Sequence, residues 1–582
     1  MVFLPPAWPP QLSEIPDSIS IPQFMFEETY GRCPLKESKN PFTCGLTGRT
    51  YTTLEMKSHV EHLARALSNN FLWQPNRGSE WDKIVGIYSL NTLDFMILAY
   101  AVHRLSGIAA PASAASSHSE LEYQLKSSGA KALFTCIPLL ETALKAARGA
   151  GIPQSRVYIL ELPKQFSGTR KVPFRTVWDL IAEGSSLPPL EALSWQKGQG
   201  ARQVAYICFS SGTSGLPKGV MISHRNVIAN VLQVAAYDKP SRDKRSGRGS
   251  EVALGLLPMS HIYGLVTIAK ASTWRGDAVI ILPKYELTSF FNSIQQYKIE
   301  SLYLVPPIII QITKNPQLVV KYDMSSVKTV FSGAAPLSAA VAQELQKIFP
   351  SWVIRQGYGL TETSPIVCNT SEDDVIFGSS GSLLPGVAVK LMSGDNTEIT
   401  DYDTPGELLV QSPSVVLGYL NNEKANKETF VDEHDGKGHW LRTGDEAVVR
   451  RSPGGNEHIY IQERIKELIK VNGLQVAPAE LEAHLLSHPS VADCAVIGIP
   501  NGVVGEVPKA FIVKSPSSQS VEDETLKSDI CKFVQGHKSK HKWLTGGVAF
   551  VEVIPKNPTG KILRRLLKDN EKVLRRAEGT KL

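Results

Sequence analysis

The chain has 582 residues, 42% of them hydrophobic and 20% charged, enough to bury large cores and to divide into several lobes. That composition excludes a disordered chain, collagen and a coiled coil. Lys and Arg total 62 against 56 Asp and Glu, an excess too dilute for a nucleic-acid footprint; residues 556–582 alone hold nine basic and three acidic residues, so the body is charge-balanced and the tail basic.

The N-terminal stretch MVFLPPAWPPQLSEIP lacks a basic segment followed by an apolar run, and no uninterrupted apolar stretch of about 18 residues occurs anywhere, so we read a soluble, non-secreted protein without a transmembrane segment. Short β-branched runs then alternate with helical patterns: KIVGIYSL, the helix-like DFMILAYAVHRLSG, KALFTC, RVYIL, QVAYICFSS, EVALGLLPM and DAVIILPK. This is the rhythm of parallel or mixed sheets covered by helices, an α/β body. Residues 239–251, KPSRDKRSGRGSE, are polar, basic and aperiodic, and are expected to form an exposed, mobile loop. Near Lys466 the texture changes, which predicts a multi-lobed N-terminal body over 1–465 and a small α+β lid over 466–582. Seven scattered cysteines without a C-x-x-C pair predict reduced thiols and no structural zinc.

Ser210, Ser211, Gly212, Thr213, Ser214, Gly215, Leu216, Pro217 and Lys218 follow the apolar strand QVAYICF. Hydroxyls, unhindered backbone N–H groups and one mobile cation are what a polyphosphate needs. The run is not a Walker loop, because Lys218 stands between Pro217 and Gly219 rather than in G-K-[ST]. A plain Ser/Gly hairpin turn is the bland alternative.

This run resembles the phosphate loop of the adenylate-forming superfamily, which includes acyl-CoA synthetases, luciferases and adenylation domains. LPMSHIYG, FSGAAPLS, QGYGLTETSP, GELLVQSPSVVLGY, WLRTGD, ERIKELIKVNGLQVAPAELE, GEVPKAFIV and PKNPTGKILRR follow in the superfamily's order, from about residue 50 to the end. HIYG and GLQVAPAELE are most similar to 4-coumarate:CoA ligases and their fungal acyl- and aryl-activating relatives.

The resemblance implies an ATP-, Mg²⁺- and CoA-dependent ligase that converts a hydrophobic aryl or medium-to-long chain acid to an acyl-AMP and then to a thioester. It implies that Glu362 holds the magnesium and Thr361 binds phosphate. Gly333, Ala334, Ala335, Gln356, Gly357, Tyr358 and Gly359 would enclose the adenine; Asp445 and Arg464 would hold the ribose. Without that context, Thr361-Glu362 reads as a helix cap, T-G-D as a surface turn and Lys561 as a solvated charge. In the resemblance Lys561 serves adenylation, whereas Lys470, Gly473 and Gln475 serve the thioester step after the lid turns about Lys466. His261, Tyr263, Gly333, Gly357, Pro365 and Ile366 would wall the acyl pocket, with His261 a gate and not a proton carrier. Two departures are Glu463, where relatives commonly carry Asp, and Asn501, where many carry Asp. Competing readings are transfer to a carrier protein or another acceptor, and a non-catalytic nucleotide-binding homologue. Thr580-Lys581-Leu582 approximate the S-K-L address and predict peroxisomal import through its receptor, with a cytoplasmic protein as the alternative.

Overall fold

The structure, a computed structural model, describes the chain apart from residues 169–170, 211–216, 247–248, 434–435, 437, 473, 558–559 and 578–582. Among the described residues the body contains three sheets. In one, Ile84–Tyr88, Ile108–Ala112, Ala132–Thr135 and Val157–Ile159 run parallel, and Val204–Ser210 joins them beside Ile108–Ala112. A second places Ala278–Ile281, Val252–Gly255, Ser301–Leu304, Thr329–Ser332 and Val353–Gly359 side by side, all parallel. The third is antiparallel and contains Gly406–Gln411, Trp440–Arg451 and Glu457–Arg464.

The helix Asp94–Arg104 is apolar nearly all round and buried along all but its last residue, as expected for a helix enclosed between layers. Tyr263–Ser272 is a wholly buried π-helix. Its wide turns bring the chain at Gly264 so close to the Pro258 carbonyl that a Cβ would sit 2.3 Å from the oxygen.

Two elements differ from the sequence reading. Lys218–Ser223 is a strand antiparallel to Val204–Ser210, with Ser210 opposite Lys218, and it precedes the helix; residues 211–216 between the two strands lie outside the described residues. That helix, His224–Ser246, continues through Pro240 into the segment expected to be a loop. Tertiary pairing overrides the polar composition there. Arg242 binds Glu251 at 2.8 Å and Asp277 at 2.6 Å, and Arg245 binds Glu251 at 2.7 Å.

Beyond Arg464 the chain builds a separate sheet from Ile469–Val471, Leu474–Val476, Val491–Asn501, Gly505–Lys514 and Val548–Phe550. Pro478–Leu485 and Asp523–His537 pack on one face, and Leu567 of Arg564–Ala577 enters an apolar cluster on the other. This unit docks on the body through Lys314, whose ammonium donates to the carbonyls of Val491 and Ala492 at 3.0 and 2.9 Å. All seven cysteines are free. No helix among the described residues is long and apolar enough to cross a membrane.

Candidate active site

A cavity of about 630 Å³ opens between the body and the C-terminal unit. Several distant chain segments meet there because parallel strands end on one side, where their connections must turn.

Ser210 and Lys218, the two ends of the Ser/Gly connection, line this cavity; Ser211, Gly212, Thr213, Ser214 and Gly215 lie outside the described residues. The Lys218 ammonium stands 4.4 Å from the centre of the Tyr419 ring, and the Tyr419 hydroxyl donates to Glu362 at 2.9 Å. Burial, and then the neighbouring Glu362 carboxylate, push the Tyr419 phenol well above its ordinary value, so it remains a donor. Thr361, Glu362 and Thr363 form a single 3₁₀ turn capped at Leu360, whose N–H donates to the Thr363 hydroxyl at 3.0 Å. The cap therefore leaves Thr361 and Glu362 facing the cavity.

Asp445 lies mid-strand and only 3% exposed, not on a surface turn. It accepts from the Tyr358 hydroxyl at 2.6 Å and lies 3.4 Å from the Arg464 guanidinium, its direct partner across the strand pair. Burial raises its carboxyl from the usual range and Arg464 opposes that shift. Tyr358 and Arg464 themselves line the cavity.

Gly333, Ala334, Gly357 and Gly359 also line it, whereas Ala335 and Gln356 do not; the Gln356 backbone N–H is bound to the Thr370 hydroxyl instead. Ala334 adopts φ +67°, the left-handed turn that takes the chain out of its strand. The small residues expected to leave room for substrate also make room for the protein's own rings. A Cβ on Gly357 would meet Phe331 at 2.4 Å, and one on Gly333 would meet Tyr263 at 3.2 Å.

His261, Tyr263, Pro365 and Ile366 complete the apolar side. Burial, and then the nearby Lys561 ammonium, push the His261 imidazole down to about 4, so it is neutral at physiological pH. Its Nδ1 accepts from the Tyr263 backbone N–H at 3.3 Å. Tyr263 donates its hydroxyl to the Phe331 carbonyl at 3.0 Å.

The C-terminal unit contributes Lys561, which precedes the helix Arg564–Ala577 and is not part of a solvated helical face. Gly560 before it, at φ +81°, packs where a Cβ would lie 2.8 Å from Pro307 of the body. Burial, and then repulsion by Arg464, hold the Lys561 ammonium down at about 8, while Glu467 and Asp445 partly offset both. Lys466 also lines the cavity, in the turn between Glu457–Arg464 and Ile469–Val471. Lys470 and Gln475 do not; they face each other across the hairpin Ile469–Val471/Leu474–Val476, both exposed, and Gly473 lies outside the described residues. The two lysines that the sequence separates by half-reaction are thus not brought together.

Both departing side chains bind backbone N–H groups. The longer Glu463 side chain accepts from the N–H groups of Arg464 and Ala479, each at 3.0 Å. Asn501 accepts from the N–H groups of Val503 and Val504 at 3.0 and 3.2 Å. Sequence reasoning missed Tyr419 and Phe331. Tyr419 lay inside a recognised motif, but its partner Glu362 is 57 positions away.

Residues 36–420 match the AMP-binding enzyme family, and residues 480–561 match the AMP-binding enzyme C-terminal domain. The chain belongs to the AMP-binding enzyme family. Its relatives include acyl-CoA ligase easD of Emericella nidulans, 42% identical over 98% of this chain and 100% of that protein. Acyl-CoA ligase cm3C of Cordyceps militaris is 37% identical over 98% of this chain and 90% of that protein. The same fold occurs in the anthranilate CoA ligase AuaEII, solved in complex with anthranoyl-AMP, with a TM-score of 0.78 at 21% identity over 96% of this chain and 98% of that one. For this AMP-binding enzyme, then, one cavity collects hydroxyl, carboxylate and cationic groups of the body and Lys466, Lys556 and Lys561 from the C-terminal unit.

Proposed function

We infer that this AMP-binding enzyme is an ATP-dependent acid:CoA ligase whose substrate is a hydrophobic acid. The observation that carries this is the presence of Lys561, brought by the C-terminal unit, in the same cavity as Lys218, Glu362 and Arg464 and beside an apolar wall that includes Tyr263 and Phe331. In the first step a carboxylate oxygen attacks the α-phosphorus of ATP, the bond to the bridging oxygen breaks and pyrophosphate leaves with the electron pair. An anion must approach a polyanion, so fixed positive charge in a partly dry cavity is the main catalytic contribution of the chain. Lys218 and the Ser210 end of the loop face the phosphates; Lys561 neutralises charge between the acid and the α-phosphate. Asp445, held by Tyr358 and Arg464, is the acceptor for the ribose hydroxyls. In the second step the CoA thiolate attacks the acyl carbon and AMP leaves.

The residues present suit a magnesium ion carried in with the nucleotide. Among the described residues no cluster of three or more His, Cys, Asp or Glu side chains is arranged to hold a metal alone, and magnesium is commonly held by one or two carboxylates, waters and substrate phosphates. Glu362, oriented by Tyr419, is the carboxylate that would hold it. When bound, the ion would add charge stabilisation at the phosphates.

The reading is tested by screening carboxylic acids for coupled, ATP-dependent CoA consumption with release of AMP and pyrophosphate; AMP release without thioester from any acid would overturn it. The depressed Lys561 predicts a pH dependence with a definite sign. The ammonium is the active form, so kcat/KM, which reports the free enzyme, is expected to fall as pH rises through about 8. In kcat the fall should lie higher, because bound phosphates favour the charged form. Lys561→Arg, charged throughout, should lose this alkaline limb even if it is slower. An identical limb in the Arg variant would assign it to another group.

Thr580, Lys581 and Leu582 lie outside the described residues. Their likeness to S-K-L supports peroxisomal import. A fluorescent fusion that preserves these three residues at its C-terminus should be punctate and become diffuse when they are deleted; a diffuse intact fusion counts against import.

A further inference from the structure

Behind the acyl wall lies a second cavity of about 20 Å³ that shares only Phe331 and Ile366 with the first. Its character is opposite to that of the wall. It is lined by Asp238, Arg275, Arg355, Tyr303, Thr267 and Asn369, among others. The charges there are already matched. Asp238 binds Arg355 at 2.6 Å and Arg275 at 3.1 Å, and Arg275 also donates to the Tyr303 hydroxyl at 2.9 Å. Arg242 is held by Glu251 and Asp277, and Arg245 by Glu251 and Glu372. A second carboxylate would have to break one of these buried pairs, which is costly.

Two polar atoms in this chamber have no partner. Thr267 Oγ1 and Asn369 Oδ1 are buried and unpaired, and both residues are only 2% exposed. The Asn369 amide nitrogen is directed at Asp238, at 3.5 Å, which leaves its oxygen as the free acceptor. A hydroxyl oxygen accepts one hydrogen bond and donates another, which complements the Thr267 O–H and the Asn369 oxygen. The volume is about that of one water, and the cost of leaving such atoms dry requires some occupant.

Building on the ligase reading, we propose that Phe331 is a movable partition and that the chamber behind it receives a hydroxyl at the end of the acyl chain remote from the carboxylate. The ring is placed for this role. It projects from Thr329–Ser332 over Gly357 and forms a triangle with the rings of Tyr263 and Tyr303, whose centres are 5.9 and 6.0 Å away. With Phe331 across the opening, the chamber has room for a single water. With the ring turned aside, an acyl chain of sufficient length exchanges that water for its own hydroxyl.

The test compares CoA-thioester formation by the full chain from straight-chain acids of increasing length and from the same acids bearing a terminal hydroxyl. At the length that reaches the chamber, the hydroxylated acid is expected to be favoured by about tenfold or more in kcat/KM, because the chamber's unpaired atoms penalise a methyl end. Thr267→Val should bring that ratio to about one through loss on the hydroxylated acid, and Thr267→Ser should retain it. A wild-type ratio near one at every length overturns the proposal, as does a ratio that survives Thr267→Val. A ratio that appears only in Phe331→Ala also overturns it, because the partition would then be shut in the native protein. If Thr267→Val has no cooperative melting transition, the wild-type ratio and the Phe331→Ala comparison decide. Thioester formation from methyl-ended acids by the wild type keeps these outcomes apart from failure of the ligase reading, in which no acid of either kind consumes CoA.

Discussion

Lys561→Ala is expected to lower acid-dependent pyrophosphate release by about three orders of magnitude while ATP still binds within a few-fold of the wild type. The reasons lie in where the ammonium stands. It enters a cavity that already holds Lys218 and Arg464, and its pKa is depressed by burial and by Arg464, so the folded protein keeps it at an electrostatic cost. Such a cost is recovered only when an anion arrives, and the largest anionic build-up occurs as the carboxylate closes on the α-phosphate. On the proposed reading, binding of the nucleotide alone would draw on Lys218, Arg464 and Asp445 as well, so the loss should fall on the rate and not on nucleotide affinity. Pyrophosphate release at fixed, saturating ATP, together with equilibrium binding of ATP to the variant, checks this. Equal losses in rate and ATP affinity would show that Lys561 is a general nucleotide anchor with no special part in the reaction.

The α/β class was legible because apolar runs of strand length recur between helical patterns, and Ile84–Tyr88, Val204–Ser210 and Ala278–Ile281 are strands buried along most or all of their length. The helical part of the polar segment, residues 239–246, was not, because Arg242 and Arg245 are paired with Asp277 and Glu372, distant partners that no local pattern reveals, as well as with Glu251. In the site, motif residues such as Glu362, Asp445 and Lys561 were legible, but what orients them was not. Tyr419 holds Glu362 and Tyr358 holds Asp445 across 57 and 87 positions. Gly333 and Gly357 read as space for substrate, yet part of that space belongs to Tyr263, from a buried helix, and to Phe331, from the neighbouring parallel strand.

Lys470→Ala should produce the converse defect: acyl-AMP continues to form at a comparable rate, but its conversion to thioester slows by about two orders of magnitude. Lys470 and Gln475 lie on an exposed hairpin of the C-terminal unit and outside the cavity that Lys561 occupies. Both lysines are fixed to one compact unit with its own apolar clusters, so bringing Lys470 to the adenylate requires the whole unit to turn and carries Lys561 away. Such a turn would break the bonds that hold the present arrangement. They include Lys314 to the Val491 and Ala492 carbonyls and the packing of Gly560 on Pro307. The turn containing Lys466 is the short connection that can absorb the change in backbone angles. Single-turnover measurements resolve the two steps: with Lys470→Ala, pyrophosphate should appear normally and enzyme-bound acyl-AMP should accumulate when CoA is added. Loss of pyrophosphate release in this variant would mean that Lys470 acts in the arrangement already formed, and that no turning of the C-terminal unit is needed to explain the division of labour between the two lysines.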